Sequence, residues 1–210
     1  MYYAVFGDGD PILLVHGGLG NANVWEAQVA ALSARYQVVV ADSRGHGRST
    51  RASGQSLHYR NMADDYVALL DQLGIQKVAL VGWSDGAIIG LDIAMRYPDR
   101  LSKLFVHAAN WNPGGLSLSA GVAWRSYARW AQEDYRRLSA ERCGQKGRDD
   151  YASLSAAMRP MWAREPNWTL RDLNKIAVPT AIVLGAHDEA IRCGHTKNMA
   201  SAIPNSRLMI

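Results

Sequence analysis

The chain has 210 residues, of which 48% are hydrophobic and 20% are charged, and its formal net charge is +4. This composition excludes disordered, collagen-like and coiled-coil chains, and the length predicts one domain with room for an insertion. No apolar run approaches the ~20 residues of a membrane helix, no signal peptide opens the chain, and no nucleic-acid recognition motif is present. We therefore expect a cytoplasmic protein that binds neither membranes nor nucleic acids.

The first half of the chain alternates short apolar runs with helical patterns. Buried strands are predicted at residues 11–15, 37–41, 77–81 and 101–108. Helices are predicted at residues 25–36, 58–73 and 85–97. Residues 2–6 look like the second strand of a hairpin whose first strand is absent. Strands that alternate with helices predict an α/β fold with a mostly parallel sheet flanked by helices.

The alternating pattern stops between residues 111 and 168, where we find no strand signal but five of the seven tryptophans. This stretch predicts a helical insertion. The sheet resumes at 179–184, a helix follows at 194–202, and 206–210 looks like the start of another strand. We thus divide the chain into a first core segment (1–110), a helical cap (111–170) and a second core segment (171–210).

The positive charge is concentrated between residues 120 and 148, which hold seven basic and three acidic residues. A solvated helix face is the simpler interpretation, and attraction of an anionic substrate or of nucleic acid is the alternative. The two cysteines, Cys143 and Cys193, match no metal-binding or redox spacing, so we expect reduced thiols. The sequence predicts neither a metal nor a cofactor.

A candidate nucleophile lies between the third predicted strand and the helix that follows it. There the sequence reads Gly82-Trp83-Ser84-Asp85-Gly86, the pattern G-x-S-x-G. A serine on so tight a strand-to-helix turn is lifted clear of the sheet, where a base can reach it. The alternative is a serine that merely caps the helix.

An acyl-transfer serine also requires backbone N–H groups that hold the oxyanion. The N–H of Asp85, next to the nucleophile, is one candidate, and the N–H of Gly18, after the first predicted strand, is the other. The neighbouring His16 is expected to brace this turn. The Asp85 carboxylate could hold a cationic group of the substrate, or could simply complement the positive end of the helix.

Four motifs occur in an order that resembles the cap-bearing branch of the α/β-hydrolase superfamily. They are LLVHGG at 13–18, DSRGHGRS at 42–49, GWSDG at 82–86 and VPTAIVLGAHD at 178–188. The GWSDG turn is most similar to the biphenyl-hydrolase-like (valacyclovir hydrolase) proteins and related bacterial esterases. By this resemblance, Asp42, Arg44 and His46 belong to a structural loop beside the active site.

The resemblance implies a Ser-Asp-His triad whose acid is Asp188, with Glu189 as its local rival and His187 in a structural role. The histidine would follow Asp188 by roughly 25–30 residues, at about 213–218, which is past Ile210. His195 is a weak substitute. We therefore expect that the catalytic histidine, the last sheet strand and a covering helix are absent from residues 1–210, and that an exposed sheet edge could pair with another molecule.

We expect Trp25, Trp83 and Trp111 to line an apolar pocket over Ser84. The sequence then predicts a serine hydrolase that cleaves a small carboxylic ester, a lactone or a related acyl compound. Two alternatives remain open. One is a catalytically impaired, binding or receptor-like homologue, and the other is a perhydrolase or haloperoxidase-like variant.

Overall fold

The computed structural model describes residues 1–52, 54–117, 122–140 and 151–210. Cys143 and the basic residues at 142, 146 and 148 lie outside these ranges, so the interpretations that rest on them stay predictions. Cys193 is an exposed free thiol. Within the described ranges, no helix combines the length and the apolar character needed to cross a bilayer.

Seven strands form one sheet in the order β1-β3-β2-β4-β5-β6-β7. The strands are β1 (Tyr3–Phe6), β2 (Asp10–Val15), β3 (Tyr36–Ala41), β4 (Val78–Trp83), β5 (Leu101–His107), β6 (Thr180–Val183) and β7 (Ser206–Met209). Strand β1 pairs antiparallel with β3, and every other neighbouring pair is parallel. The predicted mostly parallel α/β sheet is confirmed. The pairing of a sheet edge with another molecule stays a prediction.

The helices connect the strands. They are α1 (Glu26–Leu32), α2 (Tyr59–Gln72), α3 (Asp85–Arg96), α4 (Val122–Ala140), α5 (Tyr151–Trp162), α6 (Leu170–Leu173) and α7 (Cys193–Ala202). Helix α1 is shorter than predicted, because a 3₁₀ turn at Ala22–Trp25 precedes it and it ends at Leu32. Helix α3 is apolar and buried along most of its length, since it packs against both the sheet and α2.

The burial of the central strands explains why their sequences are continuous apolar runs. Leu13 to Val15 in β2 and Val38 to Ala41 in β3 are almost wholly buried. A parallel strand covered on both faces has no solvent side and so needs no polar alternation. The parallel strands all have their carboxyl ends at the same end of the sheet, and the loops that follow them there carry the predicted site residues.

Helices α4 to α6 lie in the chain between β5 and β6, and we call residues 111–170 the insertion. Hydrogen bonds join the insertion to the loops at that end of the sheet, and two of them involve Asp134 and Tyr135 of α4. The Asn21 amide donates to the Asp134 carboxylate at 2.5 Å, and the Gly47 N–H donates to the Tyr135 hydroxyl at 2.9 Å. The insertion therefore packs on the loops after β2 and β3. Its helical character agrees with the sequence pattern, while the division into core and cap stays a prediction.

The DSRGHGRS loop after β3 is held by buried polar contacts. Asp42 is fully buried, accepts hydrogen bonds from the backbone N–H of Ala22 and of Arg48 at 2.7 Å, and pairs with the Arg48 guanidinium at 2.8 Å. Arg44 pairs with Asp65 on α2. These contacts fit the structural role that the resemblance gives to the loop.

Candidate active site

Ser84 lies at the junction of β4 and α3 in a strained backbone conformation. Its φ is 53° and its ψ is −121°, a left-handed φ that costs energy for any residue with a side chain. Backbone hydrogen bonds hold the turn, since the Ser84 N–H donates to the His107 carbonyl at 2.8 Å and the Ala87 N–H donates to the Ser84 carbonyl at 2.9 Å. The Ser84 side chain makes no capping hydrogen bond. The alternative of a mere helix cap therefore lacks its defining contact.

The two glycines of the motif are required by close backbone contacts. A Cβ atom at Gly82 would lie 2.4 Å from the Gly86 carbonyl oxygen, and one at Gly86 would lie 2.0 Å from the Val15 carbonyl oxygen. Both distances are far below van der Waals contact. The spacing G-x-S-x-G thus follows from the close approach of β4, α3 and β2 at this turn.

The turn after β2 lies directly beside the nucleophile. A Cβ atom at Gly17 would be 3.1 Å from the Ser84 Cβ, and one at Gly18 would be 2.5 Å from the Asp85 carboxylate. The structure thus brings Gly18 and Asp85 together at Ser84. That their N–H groups hold an oxyanion stays a prediction.

His16 holds this turn through hydrogen bonds at both ring nitrogens. Its Nε2 accepts the backbone N–H of Ser43 at 2.9 Å, so Nδ1 carries the proton and donates to the Gly17 carbonyl at 2.7 Å. Burial lowers the pKa of His16, which keeps the ring neutral in this tautomer. These contacts match the bracing role expected from the sequence.

Asp85 is a buried carboxylate held by two aromatic donors. Asp85 is only 7% exposed. The Tyr59 hydroxyl donates to its Oδ1 at 2.9 Å, and the Trp162 indole N–H donates to its Oδ2 at 2.8 Å. Burial raises the pKa of Asp85 to about 6, although both hydrogen bonds act in the opposite direction. Within the described residues no cation pairs with it.

Asp188 lies in the turn after β6 and is oriented by the backbone. Its Oδ1 accepts the N–H groups of Ala190 at 2.9 Å and Ile191 at 2.8 Å, and its own N–H donates to the Gly185 carbonyl at 3.1 Å. Asp188 and Ser84 line the same cavity. His187 and Glu189 line it as well, a position that the sequence analysis did not give to His187.

The cavity over Ser84 has a volume of about 520 Å³. Four aromatic residues shape it: Tyr59, Trp83, Tyr127 and Trp162. The sequence analysis identified only Trp83 among them. Tyr127 and Trp162 come from the insertion, where the high frequency of aromatic residues was a weak signal of a pocket. Tyr59 begins α2, and no pattern in the sequence marked it as a pocket residue.

The other two predicted pocket tryptophans lie elsewhere, so their assignment to this cavity is corrected. Trp25 is 8% exposed and, together with Trp130, lines a second groove beside α1, which shares Trp83 and Tyr127 with the cavity. Trp111 stacks on His195 with ring centroids 4.5 Å apart, and its indole N–H donates to the His195 carbonyl at 3.3 Å. Neither Trp25 nor Trp111 is among the residues that line the cavity over Ser84.

All six histidines lie within the described residues, and none of them is hydrogen-bonded to Ser84. The Nε2 of His195 instead accepts the backbone N–H of Trp111 at 3.0 Å, and burial lowers the pKa of His195 to about 4. His195 is thus engaged at Trp111 and is not among the residues that line the cavity over Ser84. Within the described ranges, no cluster of three or more histidine, cysteine or acidic side chains could hold a metal ion.

Known proteins resemble this chain in sequence and in structure. "Putative carbamate hydrolase RutD" of Azorhizobium caulinodans is 39% identical over 106 residues, which cover 50% of this chain and 40% of that relative. The protein of the same name from Caulobacter sp. (strain K31) is 29% identical over 237 residues, which cover 100% of this chain and 86% of that relative. A thermophilic esterase from Thermogutta terrifontis superposes with a TM-score of 0.74 at 26% identity, covering 99% of this chain and 82% of the esterase.

A family model also matches most of the chain. The model of the α/β hydrolase fold matches residues 10–172, which extend from β2 through the strained serine turn to the end of the insertion. The mostly parallel sheet flanked by helices agrees with that match. The chain belongs to the α/β hydrolase fold family.

Proposed function

We propose that the protein is a serine hydrolase that cleaves a small carboxylic ester or a related acyl compound, with Ser84 as its nucleophile. One observation carries the proposal. Ser84 is held at a φ of 53° at the start of α3, and it lines a cavity of about 520 Å³. Strain of this kind persists only where the surrounding structure enforces it, and here it exposes a hydroxyl group to a pocket.

In the proposed reaction the Ser84 Oγ attacks the acyl carbon and a C–O bond forms, while its proton passes to a base. The carbonyl oxygen becomes an oxyanion that the N–H groups of Gly18 and Asp85 stabilise. The bond to the leaving group then breaks, and the leaving group takes the proton from the base. Water then attacks the acyl-serine and gives a proton to the base, the bond to the Ser84 Oγ breaks, and Oγ takes that proton back as the carboxylic acid leaves.

The proton acceptor is the part of the proposal that relies on resemblance. We propose that a histidine about 25–30 residues after Asp188 accepts the proton, which places it past residue 210. Asp188 would hold that imidazole in one tautomer. Its Oδ1 already accepts two backbone N–H groups, which restrict the orientation of the carboxylate, and Asp188 is a lining residue of the cavity.

The charges around the cavity favour neutral or cationic substrates. Four acidic residues line it, and no lysine or arginine is among the lining residues that the structure describes. The acids are Asp85, Glu165, Asp188 and Glu189. An anionic acyl compound would enter against this field. The relatives named as carbamate hydrolases and the esterase among the structural neighbours support an acyl carbon bonded to oxygen or nitrogen as the target.

The test uses p-nitrophenyl acetate, the chain of residues 1–210 and its Ser84→Ala variant, each with and without added imidazole. External imidazole can serve as the base when the protein does not supply one. We expect hydrolysis that depends on Ser84 and that imidazole raises several-fold above its own background. Equal rates for the two proteins under both conditions would overturn the proposal.

A second candidate is a binding protein that keeps the hydrolase pocket without turnover. The observation in its favour is that none of the six histidines is hydrogen-bonded to Ser84. This candidate predicts saturable binding of a non-hydrolysable ester analogue by both the chain and Ser84→Ala, and no release of p-nitrophenol beyond background. Turnover that depends on Ser84 would exclude it.

A further inference from the structure

The loop that carries Gly18 is tied to the insertion by one hydroxyl group. Tyr127 of α4 donates a hydrogen bond to the Gly18 carbonyl at 2.8 Å. The same hydroxyl would lie only 2.9 Å from a Cβ atom placed at Gly20, so the turn also packs closely against Tyr127. Leu19, between the two glycines, has a φ of 61°, so this turn is strained and depends on its contacts to keep its shape.

The second candidate oxyanion residue is tied to the insertion as well. Trp162, the last residue of α5, donates its indole N–H to the Asp85 carboxylate at 2.8 Å. A Cβ atom at Gly18 would lie 2.7 Å from the Trp162 ring and 2.5 Å from the Asp85 carboxylate. The indole, the carboxylate and the Gly18 backbone are therefore packed against one another.

The two hydrogen bonds come from two different helices of the insertion, α4 and α5, and they hold the adjacent residues Gly18 and Asp85. Tyr127 also contacts Trp83, the residue before the nucleophile, edge to face with ring centroids 5.3 Å apart. The insertion thus contacts both chain segments on either side of Ser84. Residues of α4 and α5 therefore contact the residues that carry both candidate oxyanion N–H groups.

We infer that Tyr127 and Trp162 are positioning residues, through which the insertion sets the spacing of the oxyanion N–H groups at Gly18 and Asp85. The inference rests on the proposed function, since it assigns these aromatic residues a role in that same reaction. The polar group of each side chain bonds one of these two residues and not Ser84. The Tyr127 hydroxyl donates to the Gly18 carbonyl and the Trp162 indole donates to the Asp85 carboxylate, so each holds in place a residue whose own N–H is a candidate oxyanion donor.

The expected size of the effect follows from what oxyanion donors contribute. Removal of a whole donor lowers kcat by about 10²–10³-fold in well-studied hydrolases. A donor that is displaced rather than removed should cost less, about tenfold. The loss should appear in the transition state and not in ground-state binding, so kcat should fall while KM changes little.

The test compares Tyr127→Phe and Trp162→Phe with the control Tyr151→Phe. Tyr151 lies on the same insertion and packs edge to face against Tyr135, and within the described residues its hydroxyl makes no hydrogen bond. With p-nitrophenyl acetate and imidazole, we expect kcat to fall about tenfold in the first two variants, with KM within about twofold. The inhibition constant of a trifluoromethyl ketone, which forms an oxyanion on Ser84, should weaken by the same factor as kcat/KM. The control should match the wild type.

Amide hydrogen exchange separates a failure of this inference from a failure of the proposed function. We expect faster exchange in the peptide that contains Gly18 for Tyr127→Phe, and in the peptide that contains Asp85 for Trp162→Phe, even if the chain hydrolyses no ester. Unchanged exchange in both peptides would overturn the inference. A second result would also overturn it: Tyr127→Phe and Trp162→Phe unfold at a lower midpoint but keep the kcat and the inhibition constant of Tyr151→Phe. That pattern indicates a purely structural role.

Discussion

The Trp162 indole donates a 2.8 Å hydrogen bond to the Asp85 carboxylate, which joins the last residue of α5 to the residue directly after the candidate nucleophile. Asp85 is almost fully buried, and the Tyr59 hydroxyl occupies its other oxygen. The carboxylate therefore has donors but no cation among the described residues. An ionised group in this setting costs the fold stability, and that cost depends on pH.

The first prediction is that Asp85→Asn stabilises the protein at pH 8. Burial raises the pKa of Asp85 to about 6, so the folded state favours the neutral acid. The associated stability is fully present below the unfolded pKa near ~3.9 and is lost as the pH rises through about 6. An amide carries no such charge, and it can still accept from Trp162 and donate to the Tyr59 oxygen. We expect a gain of up to about 3 kcal/mol at pH 8.

Urea unfolding at pH 4 and pH 8 measures this difference. The control is Asp8→Asn, an exposed site where the same charge is removed. The gain for Asp85→Asn should vanish at pH 4. A variant less stable than the wild type at pH 8 would show that the ionised carboxylate stabilises the fold.

The second prediction concerns Gly86, in the first turn of α3. Gly86→Ala should lower the free energy of unfolding by about 3 kcal/mol or more, because the new Cβ would lie 2.0 Å from a backbone oxygen of β2 that has no room to move. Gly194→Ala is the matched control within α7, since nothing lies within 4 Å of its Cβ position. The control should be neutral or gain up to about 1 kcal/mol. Equal effects at the two positions in thermal unfolding would contradict the packing argument.

The third prediction concerns the charge of the substrate. At pH 8 we expect the kcat/KM for p-nitrophenyl acetate and for an aminoacyl p-nitrophenyl ester to exceed that for the anionic p-nitrophenyl hemisuccinate by at least about tenfold. The cause is the acidic lining of the cavity, to which Asp85 and Glu165 contribute. High salt should narrow the difference. A preference for the hemisuccinate would mean that a basic group not among the described lining residues dominates the site.

The sequence predicted the strands and the serine turn well because the patterns that specify them are local in the chain. The strands are apolar runs bounded by glycine turns, and the sterics of Gly82 and Gly86 leave a signature in the motif itself. The tryptophans show the limit of the same reasoning. Trp25, Trp111 and Trp162 have the same composition signal, yet of these three only Trp162 lines the cavity over Ser84, because tertiary contacts decide where each indole lies. Trp162 bonds Asp85, whereas Trp111 stacks on His195 and Trp25 packs against Leu14 and Val38. Hydrophobic pattern alone does not encode those contacts.

Asp85 illustrates another limit. From the motif, its carboxylate could serve a substrate cation or the helix end. The structure adds the hydrogen bonds from Tyr59 and Trp162, which come from residues 26 and 77 positions away in the chain. Contacts between segments so far apart leave no pattern in a single sequence.

The most direct test of the central claim is the site of acylation. The chain is incubated with p-nitrophenyl acetate and imidazole, quenched in acid and digested, and the acetylated peptides are mapped by mass spectrometry. The account predicts one acetyl group on the peptide that contains Ser84, and its loss in Ser84→Ala. Acetylation that is absent from Ser84, or that persists unchanged in Ser84→Ala, would contradict the assignment of Ser84 as the nucleophile.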